Sequence, residues 1–394
     1  MTENEITLGN LFDGIGGFPF CAKIMGARPV WAAEINPFCA AVTHHRFPDM
    51  LHFGDVSKIN GADLPPVDII TFGSPCQDLS IAGRRAGLDG ERSGLFRDAV
   101  RIVYEMREAT NGKYPAYIVW ENVTGAFCSH NGRDFQEVLR EITKAGISMP
   151  KSGRWADAGM VRGGEVCAAW RVLDAQFWGV PQRRKRIYLI GSFRSDSAGE
   201  ILFKPDSVRR YSAQGRKKRK AFARNIGIRS APRDRESGQN SIGVLTFDAR
   251  GNGDGRVATP VVGDHNNRIT DYTSLLVYNN NSFGGFADGI VRRLTPTECE
   301  RLQGYPDGWT ELPEIKDMTD EEYALFLQVW KTDRETRGVS YKTLPDKKKL
   351  VKWYNRLESD TSRYQALGNS LAIPCALRVI GGIVDYMTGT CKQI

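Results

Sequence analysis

The chain has 394 residues, 41% of them hydrophobic and 25% charged, with a formal net charge of +8; this is the make-up of a globular protein long enough for two domains with sizeable cores. No apolar run approaches the ~20 residues of a membrane span, and Met1 to Asn10 lacks the basic-then-apolar pattern of a signal peptide, so the expected location is the cytoplasm. Eight scattered cysteines without a CxxC pair, beside five histidines, give neither a disulfide framework nor a zinc-finger spacing, so free thiols and no metal are expected.

In chain order, Ile6 to Phe12 reads as a strand running into glycines, and Gly17 to Met25 as a helix. Pro29 to Ala33 is a second strand. Asp68 to Phe72 and Tyr117 to Trp120 are the short apolar runs of buried strands. Between them Phe96, Val100, Val103 and Met106 recur at helical spacing, as do Phe135, Val138, Leu139 and Ile142 further on. Lys185 to Gly191 is a late strand. Strand alternating with helix predicts an α/β fold: a mostly parallel, doubly wound sheet covered on both faces.

The texture changes near Ser192. Residues 195–290 are rich in Gly, Asn, Arg and Ser and carry short alternating stretches such as Gly243 to Phe247, the pattern of a smaller, loop-rich, mainly β module. Residues 207–233 hold ten Arg or Lys and no acid; without them the net charge of +8 becomes −2. This local stretch, including Arg209, Arg210, Lys217 and Lys218, suits a phosphate backbone, although charge alone fits a solvated loop equally well. Two helices are expected in 311–360. The first follows a capping box at Thr319 to Glu322, and the second runs from Asp346 to about Leu357.

Phe12-Asp13-Gly14-Ile15-Gly16-Gly17-Phe18 follows a strand and opens a helix. A backbone there must take unusual φ and come close to a ligand, which glycine permits. Glu34 closes the next strand, 20 residues after Gly14, where an acid meets the ribose of a nucleoside cofactor. Asp55, in Gly54-Asp55-Val56, is placed to accept from an adenine amino group. The glycines form neither G-x-G-x-x-G nor a P-loop, so an adenosine ligand without pyrophosphate fits best.

Gly73-Ser74-Pro75-Cys76-Gln77 follows a buried strand, at the sheet edge where open α/β folds bind ligands. A lone cysteine is more often a buried thiol, but Glu121 ends the next strand and should emerge on the same rim. A thiolate adding to C6 of cytosine needs an acid at N3, and a glutamate beside Trp120, away from water, has the raised pKa for that role. In Gln182-Arg183-Arg184-Lys185-Arg186 alternation puts Gln182, Arg184 and Arg186 on one side, where a guanidinium can hold the cytosine O2 or a phosphate.

Taken together and in this order, these segments resemble the DNA (cytosine-5) methyltransferase family. The resemblance runs from the glycine loop through Pro-Cys-Gln, Glu121-Asn122-Val123, Gln182 to Arg186 and Arg292 to Pro306 as far as Gln365-Ala366-Leu367-Gly368-Asn369-Ser370. It implies the class I S-adenosylmethionine-dependent methyltransferase fold, acting on duplex DNA as a monomer. Cys76 would be the nucleophile, Glu121 the group at N3, and Arg184 and Arg186 the holders of the base and its phosphate. Phe12, Asp13, Gly14, Ile15, Gly17, Glu34, Ile35, Asp55, Val56, Pro75, Leu95, Asn369 and Ser370 would surround S-adenosylmethionine. Gln77, Ser80, Arg84, Arg85 and Gln182 would join the basic stretch in touching DNA, and Gln77 to about Gly94 would close over the flipped base. The implied layout is a catalytic domain of 1–191 completed by 361–394, with target recognition in 192–360, including a helical insertion at 311–360. The chain departs from the family at Asp13, usually small, and at Ser74, usually aromatic or small and apolar; the stretch between Pro306 and Gln365 is long. A tRNA cytosine-5 methyltransferase and a catalytically silent DNA-binding regulator are the competing readings.

Overall fold

A computed structural model describes residues 5–74, 94–203 and 294–390, together with the backbone of four short strands between them. Strand β1, Thr7–Leu11, and β4, Ile69–Phe72, are buried along almost their whole length, as strands in the middle of a sheet covered on both faces must be. With β2, Arg28–Ala33, β3, Leu51–Phe53, and β5, Tyr117–Val123, they form a parallel array in the order β3-β2-β1-β4-β5. The order reverses between β1 and β4, so the crevice beyond their carboxyl ends is the natural ligand site of such a sheet.

The sheet continues as β9-β7-β6, where β6 is Ala158–Gly163, β7 is Val166–Asp174 and β9 is Lys185–Ser192. All three pairings here are antiparallel, including that of β9 with β5. The sheet is therefore mixed and still mostly parallel: four pairings from β3 to β5 are parallel and the three beyond β5 are antiparallel. The physical reason is connection length. Only residues 175–184 join β7 to β9, too few for the crossover a parallel neighbour needs, whereas an antiparallel partner needs only a short link.

Two apolar cores flank the sheet. One face is covered by α1, Gly17–Ile24, α2, Pro37–Arg46, and α10, Ile373–Met387, with Phe18, Cys21, Val42, Val379 and Ile383 in contact with Leu8, Ile69 and Ile190. The other is covered by α3, Gly94–Ala109, and α4, Arg133–Thr143, whose Val100, Val103, Leu139 and Ile142 pack on Leu11, Ile70 and Leu189. The strands and helices expected from sequence in this half are all present, with ends shifted by one to three residues.

The first core does not stop at the domain limits expected from sequence. Ala198, Ile201 and Leu202 of α5, Ser197–Phe203, and Cys299 and Leu302 of α6, Pro296–Gln303, belong to it, although both lie within 192–360. The insertion also folds as expected. In α7, Asp320–Thr336, the Thr319–Glu322 capping box is present. Phe326 and Trp330 of α7 pack with Leu350 and Tyr354 of α8, Lys347–Tyr354, on Ala41 of α2. Two short sheets, β10-β12-β13 and β8-β11, join Val244–Thr246, Ser274–Val277 and Ile290–Arg293, and Gln182–Arg183 with Val261–Val262. No single helix among the described residues is long and apolar enough to cross a membrane. Among them there is also no cluster of three His, Cys, Asp or Glu suited to a metal.

Candidate active site

The loop after β1 turns sharply because Phe12, Gly14 and Gly16 all take positive φ. Gly16, at φ +77°, has the Phe47 ring 2.8 Å from where a Cβ would stand, so both backbone and space demand glycine there. At Gly17 a Cβ would meet the Tyr305 hydroxyl at 2.7 Å and Leu371 at 3.0 Å. The loop is thereby pressed against the segment that joins α9, Asp360–Asn369, to α10.

A cavity of about 420 Å³ opens beyond the carboxyl ends of β1, β2, β4 and β5, within the range of small-molecule sites. Phe12, Gly14, Glu34, Ile35, Asp55, Val56, Leu95, Glu121, Arg184, Arg186 and Asn369 all border it. The topology thus brings residues more than 300 positions apart to one place. Asp13, Ile15 and Gly17 are buried behind the loop, and Ser370 pairs its hydroxyl with that of Tyr305 at 2.5 Å.

Glu34 is held by backbone donors alone. Gly14 N–H donates to its Oε2 at 2.7 Å, and Ile35 and Asn36 N–H donate to Oε1 at 2.9 and 2.7 Å. Burial raises its pKa, and these three bonds oppose that rise. Asn36 then caps α2 by accepting from Cys39 N–H, with Pro37 in the first turn. Behind the loop, Asp13 Oδ1 accepts from Asn10 Nδ2 at 2.5 Å, and Thr71 Oγ1 donates to Asn10 Oδ1 at 2.7 Å. Burial pushes the Asp13 carboxyl well above the usual carboxylate range, against the Asn10 hydrogen bond and with help from the nearby Glu34 charge.

At the other end, Glu121 projects from β5, with 15% of its side chain exposed, and Arg186 Nε lies 3.2 Å from its Oε1. The contact is an ion pair by distance without hydrogen-bond alignment. Burial raises the Glu121 pKa and the charges of Arg186 and Arg184 lower it. Arg184 donates through Nη2 to the carbonyls of Gly368 and Ser370, tying the base end to the α9–α10 segment. Alternation along 182–186 is as expected: Gln182, Arg184 and Arg186 are buried, and Arg183 and Lys185 exposed.

That burial corrects one expectation. Gln182 is 0% exposed, and neither amide atom has a hydrogen-bond partner among the described residues. Its strand pairs with Val261–Val262, and the buried side chain offers no open surface in this structure. Pro75, Cys76, Gln77, Ser80, Arg84, Arg85, Arg209, Arg210, Lys217 and Lys218 lie outside the described residues. The chain reaches that gap beside the acid. A Cβ on Gly73 would stand 3.4 Å from Glu121 Oε2, while Ser74 takes hydrogen bonds from Asn122 Nδ2 at 3.1 Å and Trp120 Nε1 at 3.4 Å. The hydroxyl of Ser74 thus satisfies a buried indole N–H.

Sequence reasoning missed Asn36 and Cys39, which also border the cavity, as do Gly73 and Gly368, quoted within motifs but given no role. Asn36-Pro37 is a readable helix start; Cys39 carries no local signal, because only packing brings it there.

The profile of the family described as C-5 cytosine-specific DNA methylase matches residues 6–322. The chain belongs to this family. It is 28% identical over 495 aligned residues to a protein of Escherichia phage P1 named DNA N-6-adenine-methyltransferase; the alignment covers 99% of this chain and 62% of that protein. To the type II methyltransferase M.HhaI of Haemophilus parahaemolyticus it is 28% identical over 338 residues, 80% of this chain and 88% of the relative. The solved structure of the S. pombe Dnmt2 methyltransferase superposes with a TM-score of 0.50 at 14% identity, covering 99% of this chain and 100% of that one. A likeness at that identity concerns the fold alone.

Proposed function

We propose that the chain is a DNA (cytosine-5) methyltransferase, which moves a methyl group from S-adenosylmethionine to C5 of a cytosine flipped out of duplex DNA. The observation that carries this reading is one cavity with two chemically distinct ends. Glu34 and Asp55 border one end; Glu121, Arg184 and Arg186 border the other. The residues present fit the cofactor: the cavity is large enough, Glu34 is placed for ribose hydroxyls and Asp55 for an adenine amino group, and Phe12, Ile35, Val56 and Leu95 offer apolar walls. Pro75 completes this set by resemblance to the family. When bound, S-adenosylmethionine supplies a methyl group on a positively charged sulfur.

The target base must leave the stack before any side chain reaches C6, at a cost of a few kcal/mol. Cys76 follows Ser74 by two residues, a tether of about 7 Å at most, and Ser74 is anchored beside Glu121. The Cys76 thiolate forms a bond to C6 while Glu121 gives its proton to N3. The ring electrons displaced to C5 are the nucleophile toward the methyl group that the bound cofactor would supply, its carbon–sulfur bond breaking as the new bond forms so that the cofactor would leave as the neutral thioether. Loss of the C5 proton to a base, breaking of the C6–sulfur bond and return of the N3 proton to Glu121 restore the aromatic ring. A carboxyl whose pKa is raised by burial yet restrained by two arginines suits a group that both gives and recovers a proton near neutrality. Target recognition falls to residues 195–290, with the basic run at 209–224 supplying sequence-independent affinity.

The name of the phage P1 relative favours a second reading, methylation of adenine N6. An exocyclic amine needs neither a thiol adduct nor an acid at a ring nitrogen, so Glu121 with its two arginines supports the cytosine reading. One experiment separates the readings. Purified chain is incubated with labelled S-adenosylmethionine and either mixed-sequence duplex DNA or tRNA, and the products are mapped for 5-methylcytosine and N6-methyladenine. The expected result is 5-methylcytosine at one short recurrent DNA motif, abolished by Cys76→Ala with cofactor affinity retained. N6-methyladenine, methylation of tRNA alone, or full activity in Cys76→Ala would overturn it. Binding of DNA without any transfer would leave the silent regulator.

A further inference from the structure

Strand β7 runs parallel to β5, two places across the sheet, because both pair antiparallel with β9. Its carboxyl end therefore lies on the rim that carries Glu121. Arg186 marks the level: it is the register partner of Val123 on one side and of Leu173 on the other. The turn Ala175–Phe177, which follows β7, thus stands on the ligand side, two strand spacings or roughly 10 Å across from the end of β5.

On that turn Phe177 is 70% exposed, the highest value of any large apolar side chain among the described residues. Its neighbours face the other way: Ala175 and Val180 belong to the first core, and Trp178 packs against it. Single exposed apolar side chains are common, but this one is held in place. Asp174 Oδ1 accepts from Gln176 N–H at 3.3 Å, its Oδ2 accepts from Gln176 Nε2 at 2.6 Å, and Trp178 N–H donates to the Ala175 carbonyl at 2.9 Å. The same Oδ1 accepts from Arg184 N–H at 3.2 Å, and Ala175 N–H donates to the Arg184 carbonyl at 3.0 Å. One buried carboxylate therefore sets both the turn that presents Phe177 and the backbone of an arginine at the base end of the cavity.

The nearby charges select the partner. Arg183 and Lys185 are exposed on either side of the buried Arg184, and neither pairs with an acid among the described residues. Lys185 is also the register partner of Asp174, at the foot of the turn. A fixed aromatic ring with free cations beside it suits a nucleic acid, whose phosphates take the cations and whose sugars and bases offer faces to the ring.

On the DNA reading above, we propose that Phe177, with Arg183 and Lys185, is a DNA-contact surface on the catalytic domain, outside the recognition region. The ring packs on a sugar or base face and the cations meet phosphates, within about three base steps of the extruded cytosine. Phe177 is then a positioning residue, which seats the duplex beside the cavity without touching the reacting atoms.

The test measures binding of a fluorescent mixed-sequence duplex by anisotropy at several salt concentrations. Phe177→Ala should lose about five- to thirtyfold in affinity at every salt concentration with an unchanged salt slope, the scale of one aromatic contact with nucleic acid, and Phe177→Trp should keep wild-type affinity. The double variant Arg183→Gln, Lys185→Gln should lower the slope by about two, one for each phosphate contact removed. Wild-type affinity in Phe177→Ala overturns the assignment, as does an unchanged slope in the double variant. A loss of affinity in Phe177→Ala that comes with a lower melting temperature and weaker S-adenosylhomocysteine binding also overturns it, because the ring then packs within the protein. Failure of the wild type to bind duplex DNA, with S-adenosylhomocysteine binding intact, would instead overturn the DNA reading on which the assignment rests.

Discussion

Glu34 and Glu121 close β2 and β5 on the same rim of the sheet, and burial raises the pKa of both, yet their partners are of opposite kinds. Glu34 accepts from three backbone N–H groups and has no cation beside it among the described residues. Glu121 has Arg186 at 3.2 Å and Arg184 within electrostatic reach. Backbone donors have fixed positions and fixed partial charge, so they orient a carboxylate for a steady task such as holding ribose hydroxyls. Side-chain cations carry a full charge and stabilise the anion left after a proton has gone, so they suit a group that gives its proton away and takes it back. The same residue type at equivalent strand ends is thus set to two tasks by what stands beside it.

The largest expected effect breaks the comparison at the base end. Glu121→Gln should lower kcat by about 10²- to 10⁴-fold, the range of general acid catalysis, and leave S-adenosylhomocysteine affinity within about twofold. A collapse of cofactor affinity in this variant would show that the two ends are not separate. The reciprocal change is smaller. Glu34→Gln should raise KM for S-adenosylmethionine by about ten- to one-hundredfold, with kcat at saturation near wild type, because it removes a contact made equally in ground and transition states. Steady-state kinetics on both variants decide the matter.

A third prediction concerns stability. The Asp13 carboxyl keeps its proton to higher pH in the folded chain than in the unfolded one. Its favourable contribution is complete below the ordinary carboxylate range and is lost as pH rises through the folded value. An amide does not titrate. Asp13→Asn should therefore be more stable than wild type at pH 7 to 8, with the difference shrinking toward pH 4, as read from urea midpoints. The smallest effect is a control far from both ends. Thr319→Ala removes the cap of α7 and should cost about 1 kcal/mol without altering kcat or cofactor affinity. If it changes either, the insertion reaches the site through α2, on which it packs.

Much of the site was readable in the chain because its groups stand where strands end. The alternation that sends Arg184 and Arg186 inward, the acid after β2 and the acid closing β5 follow from strand periodicity and from the ligand side of an open sheet. The same alternation carries Gln182 inward, where it is fully buried. The direction of the late strand at Lys185 to Gly191 was not readable, because an apolar run carries none, and β6 and β7 were not expected; the short link over 175–184 and the neighbours in the sheet decided the direction.

By itself, then, the sequence determined the alternation of strands and helices, the glycine turn, the caps of the insertion helices, and the order of motifs that marks the family. These are local properties, set by side-chain periodicity and backbone preference over a few residues. Tertiary structure alone decided that α5 and α6 join the first core, that Arg184 ties itself to Gly368 and Ser370, that Ser74 answers the Trp120 indole, and that one oxygen of Asp13 has no hydrogen-bond partner among the described residues. Each of these depends on which distant residues share a dry interior, and burial, the force that makes an unpaired oxygen costly, has no expression until the chain has closed around it.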